Sequence, residues 1–252
     1  MPHAPNTKSR RVLLAAGAAV VVAGLVAGGV ALAVASRPQA PASAPAFPNQ
    51  AAYPPLASTP TGPGYVGMID PAWAKRTADA TGIPLLAVLA YAGAVVRSAE
   101  VTPDCGLGWN TLAGIGLIES DHGRHGGSRV GADFRVNPPI YGPILDGGTT
   151  ANIPDSDGGA IDGNAEFDRA VGPMQLIPQT WASWPSDGNG DGVGDPQNIA
   201  DAAVASANYL CHASGGMATA AGWRDGIAAY NAGADYLASV ASAAQRYFDK
   251  AG

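Results

Sequence analysis

The hydrophobic positions of the chain recur mostly at intervals of three and four residues, the spacing of one face of an α-helix. This spacing and helix-terminal signals predict helices over 84–99, 110–120, 178–181, 198–212 and 234–249. A first helix is predicted after Asp70, since Asp70 and Pro71 suit the N-cap and the first helical position. Asn198 and Asp201 suit the N-cap and N3 positions of the helix at 198–212. No run alternates convincingly with period two, so the expected fold is mainly α.

Residues 121–170 interrupt the helical pattern. They are rich in Gly, Asp and Pro and have no apolar period, so a long irregular loop is predicted here. Long loops are uncommon in compact domains and usually serve a function. With 47% hydrophobic and 13% charged residues the chain can bury a core. A single folded domain over residues 70–252 is expected.

The N-terminal segment predicts export. Residues 1–11 form a basic cytoplasmic tail, and residues 12–35 carry no charge over a length that can span a bilayer as a helix. We favour an uncleaved transmembrane anchor. A cleaved signal peptide is the alternative, because the small residues at 31, 33 and 35 resemble a cleavage site. The protein is expected in the cell membrane with an extracytoplasmic domain, or secreted to the cell wall.

Residues 36–69 are predicted as an extracytoplasmic linker between this segment and the domain. Eight prolines and a single charge lie between residues 36 and 64. This composition is typical of an extended spacer. In a polyproline conformation a linker of this length would reach roughly 100 Å.

Charge and cysteine content narrow the classes of partner and compartment. A net charge of −6 provides no basic surface for nucleic acid, so no nucleic-acid partner is expected. A polymeric substrate would be held by shape and hydrogen bonds rather than by opposite charge. Cys105 and Cys211 are the only cysteines and predict a disulfide in an oxidising compartment. Two buried free thiols are the alternative.

Glu119 is the strongest candidate for a catalytic group. Leu112, Ile115 and Glu119 lie three and four residues apart, so the carboxyl group falls on the apolar face of its helix. Burial raises the pKa of a carboxyl group, and one that stays protonated near neutral pH can act as a general acid. The other two glutamates, Glu100 and Glu166, lie among polar residues.

Three short motifs resemble those of the lytic murein transglycosylases. Residues 116–123 (Gly-Leu-Ile-Glu-Ser-Asp-His-Gly) resemble the helix-end ES motif of that superfamily. Residues 172–178 (Gly-Pro-Met-Gln-Leu-Ile-Pro) are similar to its G-x-M-Q-x-x-P turn, and residues 229–233 match its A-Y-N-A-G segment. Each motif is weak alone, but their order and spacing across roughly residues 70–250 are specific. The long loop and an acidic segment described below are most similar to the membrane-bound B-type branch.

The resemblance implies both a fold and an activity. The fold would be a single lysozyme-like domain of the goose-type lysozyme and transglycosylase kind. The activity would cleave the MurNAc-β-1,4-GlcNAc bond of peptidoglycan and leave 1,6-anhydro-MurNAc ends. Glu119 would be the single acid/base, without a cofactor, because the C6 hydroxyl of the sugar is the nucleophile. The positions that match the family's cleft and sugar contacts are Ser120, Met174, Gln175, Tyr230 and Asn231.

The resemblance also suggests roles for individual side chains. Asn231 or Gln175 would orient the N-acetyl group of the sugar, and Tyr230 would support Glu119. Asp121 departs from the family pattern, in which Gly is commoner after the Ser. A carboxylate so close to Glu119 could perturb its titration.

Two other functions are compatible with the sequence. A peptidoglycan hydrolase would need a second carboxylate near Glu119, and the long loop supplies the candidates Asp155, Asp157, Asp162 and Asp168. A non-catalytic wall-binding or scaffold protein would keep the fold and lose turnover. Such a protein is expected to have lost Glu119 or the polar motif residues, and all of them are present here.

A second site is predicted in residues 187–198, which resemble the calcium-binding loop of an EF-hand. The ligands by position would be Asp187, Asn189, Asp191, Val193 and Asn198. Asn198 stands where a bidentate Glu is usual, so a weak structural Ca²⁺ site is expected, with a turn that binds nothing as the alternative. His122 and His125 have H-x-x-H spacing but lack the third ligand of a zinc site.

Overall fold

The structure, a computed structural model, describes residues 51–251. Over this range the chain forms the seven helices α1 (Pro71–Thr81), α2 (Leu85–Val101), α3 (Trp109–Ser120), α4 (Pro178–Ser183), α5 (Ile199–Ser214), α6 (Ala220–Tyr230) and α7 (Ala234–Ala251). Four short strands are β1 (Arg129–Val130), β2 (Val136–Asn137), β3 (Tyr141–Ile144) and β4 (Arg169–Val171). The expectation of a mainly α fold is confirmed.

The strands form two separate antiparallel pairs within the predicted long loop. In the first pair, β1 lies beside β2. In the second pair, Tyr141 of β3 is opposite Val171 of β4 and Ile144 is opposite Arg169, with an irregularity between them. The segment at 121–170 is therefore folded into short hairpins and turns, and β3 and β4 bring part of it against the helices.

The helix starts follow the side-chain caps that the sequence predicts, with one exception. Asp70 begins α1 by accepting a hydrogen bond from the backbone N–H of Trp73 at 2.8 Å. Asn198 begins α5 by accepting one from Ala200 at 2.9 Å. The expectation that Asp201 completes this cap is wrong, because its buried carboxyl group accepts bonds from the backbone of Gly188 and of Asp195 instead.

Helix α3 is almost entirely enclosed by the other helices. Its side chains Leu112 and Ile115 are fully buried, and α3 packs most extensively against α7, while α2 packs against α5. Cys105, just before α3, is disulfide-bonded to Cys211 of α5, with 5.4 Å between their Cα atoms. The predicted disulfide is therefore present, and it ties the start of α3 to the neighbouring helix.

The second part of the predicted linker belongs to the folded domain. Leu56 pairs with Ile69 in a short antiparallel bridge, and Ile69 is fully buried. The carbonyl of Ala52 accepts a hydrogen bond from the N–H of Trp109 at the start of α3. The boundary at residue 69 is therefore too late in the chain, because Ala52, Val66 and Ile69 pack in or against the helical core.

The predicted tail, the predicted anchor at 12–35 and the first part of the linker lie outside the described residues. Within residues 51–251, no helix is both long enough and apolar enough to cross a membrane. The anchor therefore stays a prediction.

Candidate active site

Glu119 lies where a cleft and a smaller pocket meet. The cleft has a volume of about 1040 Å³, and both it and the pocket are lined by Glu119, Gln175 and Asn231. The walls come from the end of α3, strand β3, the turn after β4, the end of α6 and the first turns of α7. Residues that are far apart in sequence and belong to all three motifs are therefore close together.

The carboxyl group of Glu119 is half-buried one residue before the end of α3. The Tyr236 hydroxyl, on α7, donates a hydrogen bond of 2.5 Å to its Oε1 atom. Burial raises the pKa of Glu119 to about 7, and the bond from Tyr236 opposes part of this rise. A substantial fraction of Glu119 is therefore protonated at neutral pH, the state that a general acid requires.

Ser120 and Met174 shape this site from behind rather than lining it. The hydroxyl of Ser120 donates to the carbonyl of Pro173 at 2.6 Å and accepts from the N–H of Gly123 at 2.8 Å. Both Ser120 and Met174 are buried. The motif at the end of α3 and the motif at 172–178 are thus joined directly, but these two side chains are not available to contact a sugar.

Gln175 reaches the cleft because the turn at 172–175 has an unusual backbone. Gln175 has a φ of 49°, and its side-chain amide donates to the carbonyl of Gly172 at 2.9 Å. Gly172 has a φ of 75°, and a Cβ atom there would overlap the carbonyl of Pro196. The glycine is therefore required by both the backbone conformation and the close contact.

Tyr230 and Asn231, at the end of α6, have different surroundings. The Tyr230 hydroxyl donates to the carbonyl of Met174 at 2.6 Å and is within 3.0 Å of the Ser206 hydroxyl. Tyr230 thus fixes α6 to the turn at 172–175, which we call the Met174 turn. The hydrogen bond to Glu119 comes from Tyr236 instead. Asn231 lines the cleft while its Oδ1 accepts from the N–H of Gly233 at 2.9 Å. The side-chain amide nitrogen is therefore the atom of Asn231 suited to bind a ligand.

Tyr236 is the functional residue that the sequence interpretation missed. The sequence places it only within the helix predicted over 234–249, and its ring packs against the core. The signal that could have found it is its position five residues after Asn231, on the first turn of a helix that starts directly after the motif. A phenol there lies beside the end of α3.

The four loop aspartates do not line the cleft or the adjoining pocket. Asp168 is fully buried and accepts two hydrogen bonds from Ser156, while Asp162 accepts bonds from the backbone of Asn164 and of Arg169. Among the residues that line these two cavities, the acids are Glu119 and the exposed Asp235 of α7. A second carboxylate for hydrolysis would therefore have to be Asp235.

The loop at 187–195 has the compact turns of a cation-binding loop but an incomplete set of ligands. Asp187 accepts hydrogen bonds from the N–H groups of Gly190 and Gly192 at 2.7 and 2.8 Å. The side chains of Asn189 and Asp191 are joined at 2.9 Å. Asn198, the predicted ligand at position 12, is occupied as the N-cap of α5. The first half of the loop therefore offers hard oxygen ligands suited to Ca²⁺, and the position-12 ligand is missing.

A second group of acids lies on the predicted long loop. Asp155, Asp157 and Asp168 have carboxylate oxygens within 4.8 Å of one another, close enough to hold a metal ion together. The sequence interpretation considered these aspartates only as candidate catalytic acids. The pair His122 and His125 is not a metal site, because His122 is buried between two tyrosines whereas His125 lines the cleft.

Comparison of the chain with protein-family models, with curated proteins and with solved structures finds no match. The cleft itself is therefore the basis for a functional assignment. Its components are one half-buried carboxyl group with a raised pKa, a phenol hydrogen-bonded to that group, and two side-chain amides at the same junction. Such a site can protonate a leaving oxygen and bind the polar groups of a sugar.

Proposed function

We propose that the protein is a peptidoglycan lytic transglycosylase with a lysozyme-like domain, as its three motifs imply. The observation that carries this proposal is the state of Glu119. It is a carboxyl group with a pKa raised to about 7 by burial, at the junction of the cleft and its side pocket. A carboxyl group in this state can give up a proton and take one back near neutral pH, and the proposed reaction requires both steps.

The reaction uses Glu119 twice. The protonated carboxyl group of Glu119 donates its proton to the oxygen that leaves C1 of MurNAc, and the bond between C1 and that oxygen breaks. The N-acetyl group of the same sugar stabilises the positive charge at C1. The Glu119 carboxylate then takes the proton of the C6 hydroxyl, whose oxygen bonds to C1 and closes the 1,6-anhydro ring. Glu119 ends the reaction protonated, as it began.

The neighbouring side chains have distinct tasks in this scheme. The Tyr236 hydroxyl, 2.5 Å from Oε1 of Glu119, stabilises the carboxylate that forms after the first proton transfer. The amide groups of Gln175 and Asn231 line the cleft beside Glu119 and are suited to hold the N-acetyl group. Tyr230 keeps the Met174 turn in place and does not take part in the proton transfers.

The exposed apolar side chains of the cleft suit a pyranose ring rather than a charged ligand. Ile118 and Tyr141 line the cleft and are 40% and 39% exposed. Tyr141 is held in place from behind, because the guanidinium of Arg169 lies 5.1 Å from its ring centre and donates to the carbonyl of Gly142. Sugars present flat C–H faces as well as hydroxyl groups, so a mixed apolar and amide lining fits them.

Mass spectrometry of muropeptides released from purified peptidoglycan tests the proposal. Products that end in 1,6-anhydro-MurNAc, about 18 Da lighter than hydrated sugars and absent with Glu119→Gln, are expected. Reducing-end products that disappear with Asp235→Asn would instead identify a hydrolase. No product from a folded protein that binds peptidoglycan would identify a non-catalytic wall-binding module.

A further inference from the structure

His122 lies at the centre of a buried chain of hydrogen bonds. Its Nδ1 atom is 3.1 Å from the hydroxyl of Tyr91 on α2, and its Nε2 atom is 2.9 Å from the hydroxyl of Tyr247 on α7. All three side chains are buried. A neutral imidazole has one donor and one acceptor nitrogen, and a hydroxyl group can be either, so either tautomer completes the chain.

The backbone after α3 is shaped to bring His122 into this position. Asp121 and His122 both have left-handed backbone conformations, with φ values of 51° and 58°. The N–H of His122 bonds to the carbonyl of Gly116 at 2.8 Å and closes the end of the helix. A side chain on Gly116 would overlap the hydroxyl of Tyr91. The chain thus turns back on itself and places the imidazole against the last turn of α3.

That last turn carries Glu119. Glu119 and His122 are three residues apart, and both contact α7, through Tyr236 and Tyr247 respectively. The two tyrosines are eleven residues apart, which is about three helical turns, so they lie on one face of α7. The end of α3 is therefore bonded to α7 at two points, one at Glu119 itself and one just beyond it.

From these contacts we propose that the Tyr91–His122–Tyr247 chain is a positioning device that holds the carboxyl group of Glu119 against Tyr236 and away from water. His122 does not touch the cleft and is not a catalytic residue. The inference rests on the role of Glu119 in the proposed function. It adds that the geometry of Glu119 depends on a histidine buried behind it.

The charged groups around His122 favour the neutral imidazole that this chain needs. Burial and the positive charges of Arg124 and Arg246 lower the pKa of His122 to about 4, and the carboxylate of Asp121 opposes this. Arg124 is paired with Asp121 at 2.6 Å, and Arg246 lies over the ring of Tyr247. The chain is therefore intact throughout the neutral pH range.

The test is a direct titration of Glu119 by NMR, which does not depend on activity. The chain has only three glutamates, so a protein labelled with carboxyl-¹³C glutamate gives three resonances that Glu→Gln variants assign. Tyr247→Phe removes one hydroxyl group and keeps the ring in place. Tyr65→Phe is the matched control, because it removes a hydroxyl group that bonds to Glu100, away from α3.

In Tyr247→Phe the end of α3 loses one of its two bonds to α7, so water reaches Glu119. Burial affects the pKa of Glu119 more than the bond from Tyr236 does, so the loss of burial outweighs any weakening of that bond, and the pKa falls by about one unit. His122→Ala should lower the pKa of Glu119 as well. His122→Gln is expected to keep most of the native pKa of Glu119, because the Gln amide can still bond to Tyr247. In Tyr65→Phe the pKa of Glu119 is unchanged. An unchanged or raised pKa of Glu119 in Tyr247→Phe would overturn the proposal, even if the variant were less stable.

Activity on peptidoglycan gives a second readout. In Tyr247→Phe a roughly tenfold fall in kcat with an unchanged KM is expected, because a misplaced acid slows chemistry without weakening binding. If the native protein cleaves nothing, the proposed function fails while the titration still decides the role of His122. If the native protein cleaves peptidoglycan and Tyr247→Phe has the native kcat, His122 has only a structural role.

Discussion

Replacing Glu119 by Gln should stabilise the folded protein, and more so at high pH. The substitution keeps the size of the side chain and an oxygen that can accept the bond from Tyr236. It removes only the ability to ionise. The pKa of Glu119 is about 7 in the folded protein, against an ordinary value of 4.5. Folding therefore disfavours the carboxylate, and the native protein carries this cost whenever Glu119 is ionised.

The sign and size of the effect follow from proton linkage. The folded state holds its proton more tightly than the unfolded state, so the cost is absent below pH 4.5 and complete above about pH 7. At about 1.36 kcal/mol per pH unit, the full cost is about 3 kcal/mol. At pH 5 it is still below about 1 kcal/mol. The advantage of Glu119→Gln over the native protein should thus grow by about 2–3 kcal/mol between pH 5 and pH 8.

Thermal unfolding of the two proteins at pH 5 and pH 8 measures this growth. For a domain of this size about 2–4 °C corresponds to 1 kcal/mol, so the difference in Tm should increase by roughly 5–10 °C. Glu166→Gln removes one negative charge from an exposed position and is the matched control. A difference in Tm that is the same at both pH values would refute the argument that burial raises the pKa of Glu119.

Three further predictions concern Tyr236, the disulfide and the predicted calcium loop. Tyr236→Phe removes the bond that lowers the pKa of Glu119, so the ¹³C titration of the carboxyl group should move to higher pH; an unchanged midpoint would contradict this. Cys105 and Cys211 close a loop of about 100 residues, so replacing both by Ala should cost about 4.7 kcal/mol in denaturant unfolding; a loss below ~1 kcal/mol would show that the bond does not restrain the unfolded chain. Ten millimolar Ca²⁺ should raise Tm by an amount equivalent to about 1–3 kcal/mol, given a Kd of roughly 10⁻⁴–10⁻³ M. Asp187→Ala should abolish this rise, and a rise that survives would place the ion elsewhere.

The sequence predicted well those features that depend on local spacing. The apolar stripe of residues 110–120 gave the position of α3 to within one residue, and with it the half-buried carboxyl group near the helix end. The cap at Asp70 was likewise predicted from two adjacent residues. These features are set within a few helical turns, so a local pattern contains most of the necessary information.

Features that depend on contacts between distant segments were harder to predict. Tyr230 lies within the motif at 229–233, and Tyr236 follows it by three residues. The three-residue connection from α6 to α7 decides which of the two hydroxyl groups bonds to Glu119. Helix α6 was not predicted at all. Its glycines at 222 and 226 weaken the helical pattern, and they are needed because the helix lies close to residues 214–217.

The role of Asp201 also depends on contacts that a local pattern does not show. Asp201 has the right spacing for a cap, but its carboxyl group is fully buried among the backbone amides of the loop at 187–195. Burial there raises its pKa to about 7. An Asp in the first turn of a helix is usually read as favourable to the helix itself. Here it organises the preceding loop, which sequence spacing alone does not reveal.

The packing of residues 51–69 against the helices also limits how far the folded domain can lie from a membrane anchor. If residues 12–35 anchor the chain, only residues 36–50 remain between the membrane and the folded domain. Fifteen residues can span at most about 50 Å, half of what the whole Pro-rich segment would allow. If the proposed function holds as well, the cleft would act on glycan strands in the layer of wall nearest the membrane, and strands farther out would lie beyond its range.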